Sequence, residues 1–337
     1  PVVVKAQVLI GGRGTRLRPL TLSTPKPLLP LANKPFLRYQ LDVLRGHVDE
    51  VLLCAADPAP FRRALGERSA GLKLRYLSET RPLGTAGAVK NAAPLLGREA
   101  AFLVFNGDVL NNLDITALLK AHRRSGALAT VALTRVPDPT LYGLVRVSSA
   151  GRVKQFVEKP SADEADTNVV NAGVYLFSRD IFQVMDSESP SLERDIFPRL
   201  IAMSQLGSHE TKGYWIDIGT LDRYLQVHLD LLSGRTGLPL PKGLRASLDG
   251  GRVAVGDGTR IDATARFSGN VSVGARCRIG AGATLRDCVV LDGTRVGDNA
   301  RLEHCVIGPR CSLGERAEVG SGTALAGGSR VEAYSRL

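Results

Sequence analysis

Gly11 to Pro35 reads GGRGTRLRPLTLSTPKPLLPLANKP, and it follows without a gap the run Val2 to Ile10, VVVKAQVLI. An apolar, β-branched run of that kind forms a fully buried strand. The glycines behind it therefore make a turn at a sheet edge, before the helix-like segment that opens at Pro35. Gly11, Gly12 and Gly14 accept positive φ and let a ligand's phosphates approach backbone N–H groups. Arg16 adds a forked donor and Lys26 a point charge, so the stretch reads as phosphate-handling machinery. It is not a P-loop, which ends in Gly-Lys-Ser/Thr, and Leu17 stands where a dinucleotide-binding turn needs its third glycine.

Outward from this turn, buried strands alternate with helix-like segments. Val51–Ala55, Lys73–Leu77, Ala101–Phe105, Ala129–Leu133 and Val174–Phe177 read as strands. Pro35–Arg45, Pro60–Leu65, Gly87–Ala92, Ile115–Arg124 and Arg179–Met185 read as helical. Such alternation predicts an α/β domain, a mostly parallel sheet covered by helices on both faces, with ligands beyond the carboxyl ends of the strands.

From Val255 the pattern changes in kind. A large apolar residue recurs every six positions: Val255, Ile261, Phe267, Val273, Ile279 and Leu285. The series slips by one residue to Val290, runs on through Val296 and Leu302, slips again to Ile307, and continues to Val331. Glycines directly follow many of these positions. Hexapeptide repeats of this kind form a left-handed parallel β-helix, here of about four or five coils. The Gly- and Pro-rich Ser233–Gly243 is the natural connector.

Composition bounds the function. At 337 residues the chain suits two domains. The net charge of +11 raises nucleic acid as a partner, but the basic residues are scattered among carboxylates and only 5% of residues are aromatic. The charge therefore reads as solubility and attraction of anionic substrates, with no nucleic-acid track. No segment approaches a membrane span and the first residues lack a signal-peptide layout, so a cytoplasmic protein with no membrane association is expected. Five cysteines without a CxxC pair argue for reduced thiols and against a zinc site.

GGRGTRLRPLT followed by Pro25-Lys26-Pro27 resembles the signature of the sugar-1-phosphate nucleotidyltransferases, the nucleotide-sugar pyrophosphorylases, and the combination is specific. The resemblance covers the whole chain, because relatives also carry a C-terminal hexapeptide domain. It implies a Rossmann-like nucleotidyltransferase domain over residues 1–232, a linker over 233–251 and the β-helix over 252–337. The family carries its metal aspartates in the contexts of Asn106-Gly107-Asp108 and Trp215-Ile216-Asp217, so Asp108 and Asp217 are expected to hold Mg²⁺. Two carboxylates plus substrate phosphates suffice for that ion. Leu9, Gly11, Gly12, Gly14, Thr15 and Arg16 of the first turn, Pro82, Gly84 and Thr85 of the second small-residue loop, and Asn106 and Gly107 are expected to bind the nucleotide. Tyr142, Gly143, Glu158, Asn171 and Gly173 match sugar-binding positions, and Lys159 matches the lysine that holds the sugar phosphate.

The implied reaction is attack of a sugar 1-phosphate oxygen on the α-phosphorus of a nucleoside triphosphate, with pyrophosphate leaving in line. The nucleophile is already an anion, so no general base is required. Arg16, Lys26, Asp108, Lys159 and Asp217 are the expected catalytic set, acting by alignment and charge neutralisation. The loops PLGTAGA and NAGVYLF most resemble those of the guanylyl branch acting on mannose 1-phosphate. Thymidylyl, uridylyl and adenylyl branches acting on glucose 1-phosphate share the scaffold and stay open. So do a non-catalytic sensor of nucleotide sugars, an acyltransferase using His304 in the repeat, and a nucleic-acid-binding module. A homo-oligomer, dimer or tetramer, is expected through the β-helix.

Overall fold

The computed structural model describes residues 5–12, 14–79, 81–96, 99–186 and 190–337. Val2 to Val4 of the first expected strand lie outside the described residues. The chain packs into two compact units, one made of residues 1–12 and 38–215, the other of 13–37 and 216–337.

The first unit is built on a ten-stranded mixed sheet. Its centre is parallel: Lys5–Leu9 lies between Ala101–Asn106 and Glu50–Ala55, and Leu72–Ser78 adds to the far side of Glu50–Ala55. Glu50–Ala55, EVLLCA, is buried along its whole length, as a strand with both faces covered must be. Val169–Ser178 is longer than its expected core and runs antiparallel to Ala101–Asn106. It also pairs with Ala129–Arg135, with a register shift between Asn171 and Tyr175 where Gly173 takes φ 68°. Asn171 is still paired with Leu133, and the irregularity takes Ala172 and Gly173 out of that ladder. Three strands absent from the sequence reading complete this side of the sheet: Gly143–Val147 and Val153–Glu158 pair antiparallel, and Leu206–Glu210 lies parallel to Ala129–Arg135. GLVRV is short, and VKQFVE and LGSHE mix polar with apolar residues without a steady alternation, so they carry little strand signal.

Helices form where apolar stripes meet proper ends. Ile115–Ser125 starts at Asp114, whose carboxylate accepts from Ala117 N at 3.0 Å, and stops at Gly126 in the left-handed region. Gly84–Asn91 begins three residues before its sequence-read start. The core beneath includes Leu52, Val104, Tyr175 and Phe197.

In the second unit three columns of short parallel strands stack coil upon coil. One column runs Arg252–Val255, Val271–Val273, Val289–Val290, Val306–Ile307, Ala324–Leu325. The expected apolar series points inward, with Val273, Ile279, Leu285, Val296 and Ile307 buried in one cluster. Glycines after them are required by the spacing of coils: a Cβ on Gly256 would lie 2.4 Å from Ala275 N, and one on Gly314 2.4 Å from Ala333 N. The two slips in the repeat fall at one corner in two successive coils. That corner is closed by Asp287 (φ 42°) and His304 (φ 47°), where coils with six-residue spacing use Gly269 and Gly322. His304 is an exposed corner residue whose N–H donates to Arg286 O at 3.0 Å. All five cysteines are free and buried, as the reduced-thiol reading requires.

The segment holding the glycine-rich signature belongs to this second unit from residue 13 onward. Leu17, Leu20 and Leu29 pack with Tyr224, Leu225 and Leu229 of the helix Leu221–Ser233 and with Val289, Leu291 and Val306 of the coils. Asn33 Nδ2 donates to Val273 O at 3.0 Å.

Candidate active site

Leu9 ends its strand opposite Asn106 and Cys54. Its carbonyl accepts from Gly107 N at 2.9 Å, and a Cβ at position 107 would sit 2.6 Å from that oxygen. Glycine is thus the residue that lets the two strand ends close. Gln40 holds the same edge from below, its Nε2 donating to Asn106 O at 2.8 Å and Val109 O at 2.6 Å. Asp108 follows, half-buried. Gly11 and Gly12 are exposed, and a Cβ on Gly11 would lie 3.3 Å from Glu79 Oε2. Burial pushes the Glu79 carboxyl up from its ordinary value, against the hydrogen bond it takes from the Leu83 backbone.

The second small-residue loop is tied at both ends. Buried Gln7 donates to Ala88 O at 2.8 Å, fastening the helix Gly84–Asn91 to the first strand. Gly84 has φ 72°, and a Cβ there would be 2.1 Å from Pro190 O. The Thr85 hydroxyl donates to Glu193 Oε2 at 3.0 Å and accepts from Leu192 N at 2.8 Å. It caps no helix end; the N-cap is Leu83, without a side-chain bond.

Sugar-matching residues gather in the same unit. Tyr142 meets Trp215 edge to face at 5.1 Å, and Trp215 Nε1 donates to Ala172 O at 2.9 Å. A Cβ on Gly143 would strike the Phe156 ring at 2.5 Å, and one on Gly173 would come within 2.9 Å of Asn106 Nδ2. Asn171 Oδ1 accepts from Gly173 N at 2.9 Å, and its Nδ2 donates to the Tyr175 hydroxyl at 2.8 Å. Partial burial, then the nearby Glu193 charge, pushes the Glu158 carboxyl up, while Lys159 and Arg194 oppose this. Lys159 has φ 51°, an unusual conformation for a side chain with Cβ and one that concentrates at working sites.

In the second unit, Gly14 turns the chain at φ 60° and its carbonyl accepts from Thr21 Oγ1 at 2.8 Å. Three 3-10 turns follow, Thr15–Leu17, Leu20–Leu22 and Lys26–Leu28. Leu17 points into the core while Thr15 and Arg16 stay exposed. Lys26 is buried, with Nζ 3.7 Å from Asp217 Oδ1. Arg223 NH1 lies 3.1 Å from Asp217 Oδ2, on a helix capped by Thr220. A Cβ on Gly219 would touch both the Asp217 carboxylate (2.9 Å) and Arg16 NH2 (3.1 Å). One carboxylate thus has Lys26 and Arg223 on it and Arg16 beside it, an excess of positive charge suited to phosphate oxygens.

The first unit therefore collects Leu9, Gly11, Gly12, Pro82, Gly84, Thr85, Asn106, Gly107, Asp108, Tyr142, Gly143, Glu158, Lys159, Asn171 and Gly173; the second collects Gly14, Thr15, Arg16, Lys26 and Asp217. Sequence reading passed over Arg223, Trp215 and Glu193. Trp215 is the only tryptophan of the chain, a signal that was available; Arg223 and Glu193 are ordinary charges on polar segments, with no such signal.

Residues 5–234 match the family model described as nucleotidyl transferase. The chain belongs to the nucleotidyl transferase family. Residues 250–335 of this nucleotidyltransferase match the model described as GMPPB C-terminal domain. It is 38% identical over 299 residues to the mannose-1-phosphate guanylyltransferase of Mycobacterium tuberculosis, covering 87% of this chain and 81% of that one. It is 34% identical over 332 residues to mannose-1-phosphate guanylyltransferase 1 of Arabidopsis thaliana, covering 96% and 91%. The substrate class of the family, a nucleoside triphosphate and a sugar phosphate, suits the cationic site described above.

Nucleotidyltransferases of this kind generally use a divalent metal. Among the described residues no group of three or more His, Cys, Asp or Glu side chains is arranged to hold a metal alone. Each unit offers one hard carboxylate donor, Asp108 half-buried after its strand in the first and Asp217 among cations in the second, and oxygen donors of this kind suit Mg²⁺ and suit a thiophilic metal poorly. Among the described residues no helix is long and apolar enough to cross a membrane.

Proposed function

We propose that this nucleotidyltransferase makes GDP-mannose and pyrophosphate from GTP and mannose 1-phosphate. The observation that carries the reading is the Arg16, Lys26 and Arg223 arrangement about Asp217 in the second unit. The names borne by its relatives support the choice of base and sugar. Gly11, Gly12 and Gly14 offer backbone N–H groups to the triphosphate, and Arg16 and Lys26 offset its charge as pyrophosphate departs. Asp108 and Asp217 would hold Mg²⁺, which when bound supplies the remaining charge neutralisation on the reacting phosphates. Lys159 holds the attacking phosphate, while Tyr142, Gly143, Glu158, Asn171 and Gly173 orient the sugar. Leu9, Thr15, Pro82, Gly84, Thr85, Asn106 and Gly107 frame the nucleotide. Glu79, against Gly11, offers an acceptor for the N1–H and 2-amino hydrogens of guanine, positions at which adenine has no N–H.

The chemistry is assigned to residues 1–232 and assembly to the β-helix over 252–337, as a cytoplasmic homo-oligomer. Supplying GDP-mannose and pyrophosphate with Mg²⁺ tests the reading in reverse: GTP and mannose 1-phosphate should form, and an enzyme inert to GDP-mannose but active on another nucleotide sugar would overturn the assignment.

A further inference from the structure

Glu193 stands in a short π-helical turn, Leu192–Ile196, that the reaction described above does not use. Single π-turns recur at functional sites because they re-aim side chains that an α-helix would place elsewhere. Here the turn aims one carboxylate at two loops. Oε2 accepts from the Thr85 hydroxyl at 3.0 Å and from the Ser191 hydroxyl at 3.1 Å. Oε1 accepts from the Tyr175 hydroxyl at 3.2 Å. Tyr175 is fully buried, and its oxygen in turn accepts from Asn171 Nδ2 at 2.8 Å. The other face of Asn171 takes the Gly173 N–H at 2.9 Å.

The result is an unbroken chain of hydrogen bonds, Thr85 to Glu193 to Tyr175 to Asn171 to Gly173. Its first member lies in the nucleotide loop and its last two in the sugar site. The contact at the nucleotide end is doubled, since Ala86 N donates to Pro190 O at 3.0 Å and Leu192 N donates back to Thr85. A carboxylate suits this place for a chemical reason: it is acceptor-only, so it fixes the direction of the hydroxyl donors on both sides. Each hydroxyl then presents its lone pairs, and not its hydrogen, to Leu192 N on one side and to Asn171 on the other.

We propose that Glu193 is a positioning residue that sets the nucleotide loop and the sugar site together, so that both substrates depend on a group that touches neither. The inference rests on the reading that Thr85 belongs to the nucleotide side and Asn171 and Gly173 to the sugar side. A carboxamide at 193 keeps the length and one acceptor but puts a donor against either Thr85 or Tyr175, breaking the directed chain at one link.

The test compares Glu193→Gln and Tyr175→Phe with the unaltered enzyme, using whichever nucleoside triphosphate and sugar 1-phosphate that enzyme turns over best. In Glu193→Gln the KM values of both substrates should rise about tenfold, with kcat falling less. In Tyr175→Phe, which cuts only the sugar arm, the sugar 1-phosphate KM alone should rise. Thermal melts of both variants check that the fold survives; if Glu193→Gln does not fold, the selective effect of Tyr175→Phe on the sugar KM still decides the matter. A Glu193→Gln enzyme in which neither KM moves, or only one does, would overturn the inference. So would a Tyr175→Phe enzyme that raises both. Because the substrate pair is chosen by the unaltered enzyme's own preference, a wrong choice of base or sugar under Proposed function shows up in that enzyme and leaves this comparison intact.

Discussion

Asp217 concentrates the chemistry of the second unit in one side chain. Lys26 at 3.7 Å and Arg223 at 3.1 Å flank its carboxylate. Asp217→Asn should leave the fold intact while removing an anionic oxygen proposed to hold Mg²⁺, and with it part of the charge neutralisation of the transition state, so that kcat should fall about 100-fold or more. Turnover near that of the unaltered enzyme in Mg²⁺ would remove Asp217 from the catalytic set. Glu158 makes a pH prediction. Burial first, and the Glu193 charge second, hold its carboxyl above the usual range, with Lys159 and Arg194 opposing. In its proposed role as an acceptor of sugar hydroxyls it would work deprotonated. Falling pH therefore neutralises it earlier than an ordinary glutamate, and the KM for sugar 1-phosphate should begin to climb at a higher pH than a free glutamate would give. Glu158→Gln should abolish that limb of the profile, which a KM-against-pH series reads directly.

Elements differ in how much of them the sequence disclosed. Buried parallel strands such as Glu50–Ala55 were plain, because a strand covered on both faces has an uninterrupted apolar sequence. The β-helix was plainer still: its slips at Val290 and Ile307 coincide with the Asp287 and His304 corners. The hairpin Gly143–Val147 and Val153–Glu158 was missed, since VKQFVE exposes half its residues and lacks that signal. The bulge in Val169–Ser178 that sets Asn171 and Gly173 was also hidden, because it depends on pairing with a distant strand. Gly84 is where element and loop meet. Alanine there would need a left-handed backbone, at about 1–2 kcal/mol, and would also drive its Cβ into Pro190 O. Gly84→Ala should therefore lower the melting temperature and raise the KM for nucleotide together. A melt and kinetics indistinguishable from those of the unaltered enzyme would show that the Gly84–Pro190 apposition is not needed.

At the scale of the molecule, the sequence invites a division at residue 233, with a catalytic portion that binds nucleotide without the β-helix. In the structure Leu17, Leu20 and Leu29 pack with Val289, Leu291 and Val306, so the signature segment draws part of its core from the coils. Long-range packing of this kind leaves no local mark, so the sequence could not show it. A chain ending at Leu232 should lose nucleotide affinity and expose an apolar patch prone to association, and calorimetric titration with GTP measures the first effect. Retained affinity would mean that the signature holds its shape unaided. The cationic site is proposed to serve GTP and mannose 1-phosphate. Pyrophosphate release across a matrix of GTP, dTTP, UTP and ATP with mannose and glucose 1-phosphates decides which pair it takes. A site that hydrogen-bonds the base edge should favour GTP with mannose 1-phosphate by about 100-fold in kcat/KM, or about 2.7 kcal/mol; a clear preference for dTTP or UTP with glucose 1-phosphate would contradict it.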